Sequence, residues 1–178
     1  MKKLSLILTF ASVILSSCAS YKVVPFKGTY LEPPFKFTST KTYQQVWDNL
    51  IDLFAQKGLS IKLIDKSSGL LISNEIVIKH TVETKTGSLV NSDAYIVVPL
   101  LYNKGSMISK PINDNADITG EWNVRVKESQ DGTIINVNLV NLKYFTYDAY
   151  RKIPISTPLV YFKSTGKFEE MISSILIK

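Results

Sequence analysis

The stretch Thr42-Tyr43-Gln44-Gln45-Val46-Trp47-Asp48-Asn49-Leu50-Ile51-Asp52-Leu53-Phe54-Ala55-Gln56-Lys57-Gly58 decides the fold. Val46, Leu50, Leu53 and Phe54 recur at offsets 0, 4, 7 and 8, with Trp47 and Ile51 alongside. This is the apolar stripe of a helix that buries one side. Thr42 and Gln45 have capping-box spacing: the hydroxyl satisfies an N–H that the first turn leaves orphaned, and the amide reaches back to the cap. Gly58 stands where a helix passes into a left-handed residue. The spacing predicts a helix over Thr42–Lys57.

Strand signals lie on both sides of it. Before the helix, Phe35 and Phe37 alternate with Lys36 and Thr38. After it, Leu59, Ile61 and Leu63 alternate with Ser60 and Lys62, and Asp65-Lys66-Ser67-Ser68-Gly69 has the chemistry of a turn. Leu70, Ile72, Ile76 and Ile78 share one parity and Ser73, Glu75 and Lys79 the other, so a hairpin with one wet face is expected. From Thr81 to Asp117 the pattern fails, punctuated by Gly87, Pro99, Gly105 and Pro111. That segment is too long for an ordinary loop and reads as an extended hairpin or a flap. Regularity returns with Trp122, Val124 and Val126 against Asn123, Arg125 and Lys127. Asp131-Gly132 signals a hairpin. Ile135, Val137 and Leu139 then share a face, after which the apolar parity flips to Val140, Leu142 and Tyr144. A one-residue flip within a long strand predicts a β-bulge. Tyr147 to Pro158 reads as an aromatic connection. Ser164-Thr165-Gly166 caps a last helix whose buried face is Phe168, Met171, Ile172, Ile175 and Leu176.

Strands joined by hairpins, with helices at both ends of the order, give an α+β class. The expected architecture is an antiparallel sheet with two helices packed on one face, a helix-grip-like two-layer sandwich. Two parts of the chain carry a resemblance: Thr42 to Leu50 with Gly58-Leu59-Ser60-Ile61, and Ile64 to Leu71 with its Asp-x-x-x-Gly turn. This unit resembles the helix-grip repeats of BamC-type lipoproteins, which accompany the outer-membrane barrel-assembly machinery. It is also similar to envelope lipoproteins with a closing Ser-Thr-Gly-Lys-Phe-Glu helix. The resemblance covers about a third of the chain. It concerns fold, and no functional residue is carried over with it.

The address is written at the start. Lys2 and Lys3 precede an apolar run from Leu4 to Leu15, and Leu15-Ser16-Ser17-Cys18 has the pattern of a lipobox. The run is far shorter than the roughly 20 residues of a membrane-spanning helix, so it reads as a processing signal. Residues 1–18 are thus expected to be a lipoprotein signal ending at a lipidated Cys18 that carries acyl chains such as palmitate. One chain anchors marginally and several anchor stably. Residues 19–34, with Pro25, Pro33 and Pro34, read as a tether, and 35–178 as a single domain with an insertion at 81–117. Ala19 follows the cysteine where inner-membrane lipoproteins commonly carry Asp. By resemblance this implies an outer-membrane lipoprotein facing the periplasm.

Composition narrows the function. Without Lys2 and Lys3, 19 basic side chains stand against 15 acidic ones. The charges are scattered and only Arg125 and Arg151 are arginines, so nucleic acid is not an expected partner. Cys18 is the only cysteine and His80 the only histidine, too little for the usual zinc ligand sets. His80 continues the apolar face of Ile76 and Ile78 and reads as a strand-end histidine. No nucleophile motif accompanies it. Asp48 and Asp52, at i and i+4, read as a solvated helix face. Asn113, Asp114, Asn115 and Asp117 lack the glycine and closing glutamate of a calcium loop. Tyr144, Phe145, Tyr147, Tyr150, Tyr161 and Phe162 form a dense aromatic group, read as packing before binding. The expectation is a lipid-anchored envelope protein without enzymatic activity, cofactor or metal. It would be an interaction or accessory module held at the membrane by its anchor, with an envelope protein as partner. The alternative is a carrier of small apolar ligands. The candidate partner contact is the apolar run Tyr95, Ile96, Val97, Val98, Leu100 and Leu101. That run is either such a contact or a buried strand.

Overall fold

The computed structural model describes residues 21–103, 109–111, 117–148 and 153–176. The strands are β1 (Tyr21–Val23), β2 (Phe35–Ser39), β3 (Ile61–Asp65), β4 (Leu70–Ser73), β5 (Ile76–Val77), β6 (His80–Thr81), β7 (Ile96–Val97), β8 (Leu100–Asn103), β9 (Ser109–Pro111), β10 (Asp117–Ser129), β11 (Gly132–Asp148), β12 (Ile153–Pro158) and β13 (Lys163–Ser164). The helices are α1 (Tyr43–Gln56) and α2 (Lys167–Leu176). The main sheet runs β12-β11-β10-β4-β3, with β2 sharing the β12 edge of β11 and β5 sharing the β4 edge of β10. Two three-stranded sheets flank it, β1-β8-β9 and β13-β7-β6.

The capping box forms as expected: the Thr42 hydroxyl accepts from the Gln45 N–H at 3.3 Å, and the Gln45 carboxamide oxygen accepts from the Thr42 N–H at 3.0 Å. Val46, Trp47, Leu50, Leu53 and Phe54 are the buried side of α1. They meet Trp122, Val124 and Val126 of β10 and Ile135 and Val137 of β11 in one apolar cluster. Phe168, Ile172 and Leu176 of α2 join the same cluster, and the Phe168 ring stacks on Trp122 with centroids 3.5 Å apart. Both helices therefore pack on the Trp122 side of the sheet, in an α+β arrangement.

The parity flip after Leu139 is a bulge. Register shifts between Thr119 and Glu121, Asn141 adopts φ +55°, and Leu142 turns into the core opposite Gly120. Asparagine tolerates this conformation better than most non-glycine residues.

Four expectations are corrected. Leu71, not Leu70 and Ile72, is fully buried on β4, because Leu71 pairs with the inward-facing Val124. Leu63 and Ile64 are exposed on the edge strand β3, past a register irregularity at Ile61–Leu63. Part of the expected aromatic connection is strand β12, which pairs with β11 from Lys143 to Asp148. The pairing is not wholly antiparallel, since β6 runs parallel to β7.

The run within 81–117 follows the buried of its two readings. Ala94, Ile96, Val97 and Val98 are closed to solvent. β7 lies between β6 and β13, and Tyr95 sits edge-on to both Trp122 and Phe168. The run thus adds a strand beside the core in a separate small sheet.

Two stability predictions follow from this packing. Trp47 is 4 % exposed, and Trp47→Ala should cost about 3–5 kcal/mol in chemical denaturation. Gly69 holds φ +71°, and a Cβ there would collide with the Val126 carbonyl oxygen, while the Val126 N–H donates to the Gly69 carbonyl at 2.8 Å. Gly69→Ala should destabilise by more than the roughly 1 kcal/mol that a compatible site gains, read as a lowered denaturation midpoint.

Candidate functional site

β10 carries two opposite surfaces. Trp122, Val124 and Val126 face the helices, and Asn123, Arg125 and Lys127 face away, as alternation requires. The neighbouring strands extend this outer surface. Asn138 stands opposite Asn123 and Asn136 opposite Arg125 on β11. Ile72 and Leu70 stand opposite the same two residues on β4, with Leu63 beyond Ile72 on β3 and Lys36 beyond Asn136 on β2. Since both helices lie on the other side, this is the open face of the sheet.

Two acids on this face, Glu121 and Glu75, are already partnered, while Asp117 at the start of β10 is exposed. Glu121 is 7 % exposed, receives Lys62 Nζ at 2.7 Å and the Asn141 amide at 3.0 Å, and lies beside the bulge. The Lys62 hydrogen bond lowers its carboxyl against the opposing effect of burial, and Asn141 helps. Glu75 accepts from the Thr119 hydroxyl at 2.5 Å and from Lys143 at 3.2 Å, and both bonds lower its carboxyl. Among the described residues, Lys36, Arg125 and Lys127 have neither hydrogen bond nor ion pair, and the side-chain amides of Asn123, Asn136 and Asn138 likewise have no partner. The centre of the face, around β10 and β11, is left with cations and amides.

At one end of it a cleft of about 480 Å³ opens. Lys66, Ser67, Ser68 and Gly69 of the β3–β4 turn line it with Arg125 to Glu128 of β10 and Tyr43 of α1. Asp65 organises the turn: its carboxylate accepts from the Ser67 hydroxyl at 2.5 Å, the Ser67 N–H at 2.9 Å and the Ser68 N–H at 3.3 Å. These bonds, the Ser67 side chain foremost, pull its carboxyl down to about 2. Lys66 Nζ reaches Gln44 at 2.5 Å, and the Tyr43 hydroxyl donates to the Lys66 carbonyl. Burial first, then the charges of Asp65 and Glu128, raise the Tyr43 hydroxyl. Cations and hydroxyls converge here beside the Glu128 carboxylate, and the Ser67 hydroxyl is spent on Asp65 within the turn.

A second feature is the segment expected as a tether. From Tyr21 onward it is laid along the domain as a strap. β1 pairs with β8, and the Val24 N–H donates to Leu100 at 3.0 Å. Glu83 holds the middle: its carboxylate accepts from the Lys27 N–H at 2.8 Å, the Gly28 N–H at 2.7 Å and the Tyr30 hydroxyl at 2.6 Å. Leu31 bridges Ser164, and Glu32 pairs with Lys163. Phe26 stacks on Tyr161 with centroids 5.6 Å apart and meets Tyr30 edge-on. The expectation of a tether over 19–34 is corrected for the described residues, because a single carboxylate satisfies three donors of a segment that has no apolar period. Burial works to raise the Glu83 carboxyl, but the bonds from Tyr30, Lys27 and Gly28 outweigh it and leave it low. The Tyr30 hydroxyl is raised by burial and by Glu83.

The residues singled out in the sequence scatter. Ile96, Val97 and Val98 have no surface to offer a partner, Tyr95 and Leu100 are half-buried, and the Leu101 side chain lies outside the described residues. Asp48 and Asp52 are exposed on α1, and Asp48 accepts from Gln44 at 2.7 Å. His80 is half-buried in β6, opposite Ile96. Asn113, Asp114 and Asn115 lie outside the described residues, and Asp117 begins β10. Tyr144, Phe145 and Phe162 are half-buried, and Tyr161 is exposed; Tyr150 and the Tyr147 side chain lie outside the described residues, as does Cys18. Between sheet and helices the fully buried Trp122 and Phe168 rings are stacked. Among the described residues no three or more His, Cys, Asp or Glu gather into a metal site. The open face was missed although Asn123, Arg125 and Lys127 had been placed on the outer parity; the signal was that side's amides and cations. No protein-family profile matches this chain, and a search of curated proteins found no match.

Glu83 gives a pH prediction. Its carboxyl is lower in the folded than in the unfolded chain, so its contribution is complete above the ordinary carboxylate range and is lost as pH falls through the folded value. Glu83→Ala at neutral pH should raise amide exchange at Lys27 and Gly28 about tenfold or more. Acidification should do the same to the native strap once intrinsic exchange rates are corrected for.

Proposed function

We propose that this chain is a lipid-anchored cell-envelope protein, a non-catalytic interaction module that presents the open face of its sheet and the adjoining cleft to a partner. The observation that carries the address is the Met1–Cys18 signal with its lipobox and lone cysteine. Outer-membrane sorting with the domain facing the periplasm belongs to the same reading, through Ala19 at the sorting position. So does the helix-grip arrangement, supported by the closing helix α2 whose Phe168 ring lies on Trp122 of the central strand β10. No helix among the described residues is long and apolar enough to cross a membrane. The surface is chosen on chemistry: cations and amides without partners on a rigid sheet are free to serve a ligand.

Cys18→Ser expressed in a bacterial host that processes lipoproteins is the test. The native protein should partition with membranes after a high-salt wash and carry an acyl mass increment on the peptide beginning at Cys18. The variant should appear in the soluble fraction. A variant that stays membrane-bound, or a native protein without the increment, overturns the reading.

A further inference from the structure

We infer that the open sheet face is a binding site for an anionic glycan, a chain of hydroxylated rings bearing carboxylates. This names the partner of the surface proposed above and rests on that reading of the surface, not on the lipid anchor.

The first argument is charge. Lys62 and Lys143 neutralise Glu121 and Glu75 within the protein. Arg125 and Lys127, two residues apart on one strand, retain their charge with no partner among the described residues. At the cleft end Asp65 stays ionised and is held by the serines of its own turn, and Glu128 has the opposite parity on β10 to Arg125 and Lys127. A guanidinium presents a planar fork to a carboxylate, and a sheet strand fixes its root.

The second argument selects glycan over acidic peptide. An extended peptide gains most by adding to a sheet edge through its backbone, whereas this surface is the middle of a sheet, where backbone groups are already paired. What remains for a ligand is side-chain chemistry. Asn123, Asn136 and Asn138 each offer a donor and an acceptor from one planar group, which suits a hydroxyl that both gives and takes. Asn123 and Asn138 are directly opposed, as are Arg125 and Asn136. Cross-strand neighbours stand about 5 Å apart and alternate residues along a strand about 7 Å apart, the scale of one sugar ring with its substituents. Leu63 and Ile72, adjacent on the same face, supply aliphatic surface for the C–H side of a ring.

The experiment is calorimetric titration of the full chain with tetragalacturonate, with maltotetraose and a tetraglutamate peptide as comparison ligands. Tetragalacturonate should bind saturably, maltotetraose should not saturate over the same range, and tetraglutamate should bind about tenfold more weakly or worse. Arg125→Ala with Lys127→Ala should weaken tetragalacturonate at least tenfold. Arg125→Lys, which keeps the charge and loses the fork, should weaken it several-fold with the denaturation midpoint unchanged. Asn138→Ala should weaken it about threefold while leaving residual tetraglutamate binding unaltered. Equal binding of tetraglutamate, or insensitivity to the Arg125 and Asn138 variants, overturns the inference, as does failure of tetragalacturonate to bind. None of these outcomes touches the acyl increment on Cys18, so the address and the ligand fail separately.

Discussion

The stack of Phe168 on Trp122 holds the rest of the structure in place. Trp122 is fully buried in the central strand β10, and Phe168 stands in the first turn of α2. Aromatic pairs contribute about 0.5–1.5 kcal/mol beyond the area they bury, but the consequence here is mainly positional. The contact seats α2 over the sheet beside α1. It also fixes the chain just before α2, where the Thr165 hydroxyl donates to the Ala94 carbonyl at 2.6 Å and the Ser164 backbone pairs with Ile96. Tyr95 closes the group edge-on to both rings. One apolar contact thus recruits the second helix, the insertion strand β7 and the strap that bridges at Leu31.

Seating both helices on one side has a cost and an opening. Ionisable groups caught near the stack are desolvated: Glu169, 4 % exposed in the first turn of α2, has its carboxyl raised by burial against the lowering bond from Ser164. The opposite face of the sheet stays uncovered. A sheet with one wet face needs polar residues at alternate positions, and β10 and β11 meet that need with amides and cations. The bulge at Asn141 sharpens the division, since it turns Leu142 into the core while its own amide holds Glu121 on the outer side.

Local codes were the legible part of the sequence. The helix at Thr42 was readable because capping and periodicity agree in one window. The bulge was readable because a parity flip has few other causes. The hairpin at Asp131-Gly132 followed from turn chemistry, with Ser129 opposite Gly132. What escaped depends on partners far along the chain. The strap carries no period, and it is ordered by Glu83, more than fifty residues away. The orientation of β4 was misread because both parities are apolar there, and only the pairing of Leu71 with Val124 chooses between them. The run from Tyr95 to Val98 stays open in the sequence between a contact and a buried strand, because its partners, β6 and β13, are too short to signal themselves. The open face was visible as outer parity, but its lack of internal partners shows only when Glu75 and Glu121 are seen to be taken.

The strap ties the two halves of the functional reading together. If Cys18 carries the anchor, only two residues separate it from Tyr21, the start of β1. Three residue steps at about 3.5 Å each allow about 10 Å between the lipidated residue and the edge of the β1-β8-β9 sheet. A free tether of sixteen residues would let the domain reach several times farther and tumble. The Glu83 bonds remove that freedom, because they fix the chain beyond β1 as well. A domain on so short a leash keeps a restricted orientation at the surface that holds it. With the proposed anchor in place, the sheet face would be presented from a limited set of directions, an arrangement that favours an extended polymer over a freely diffusing small molecule.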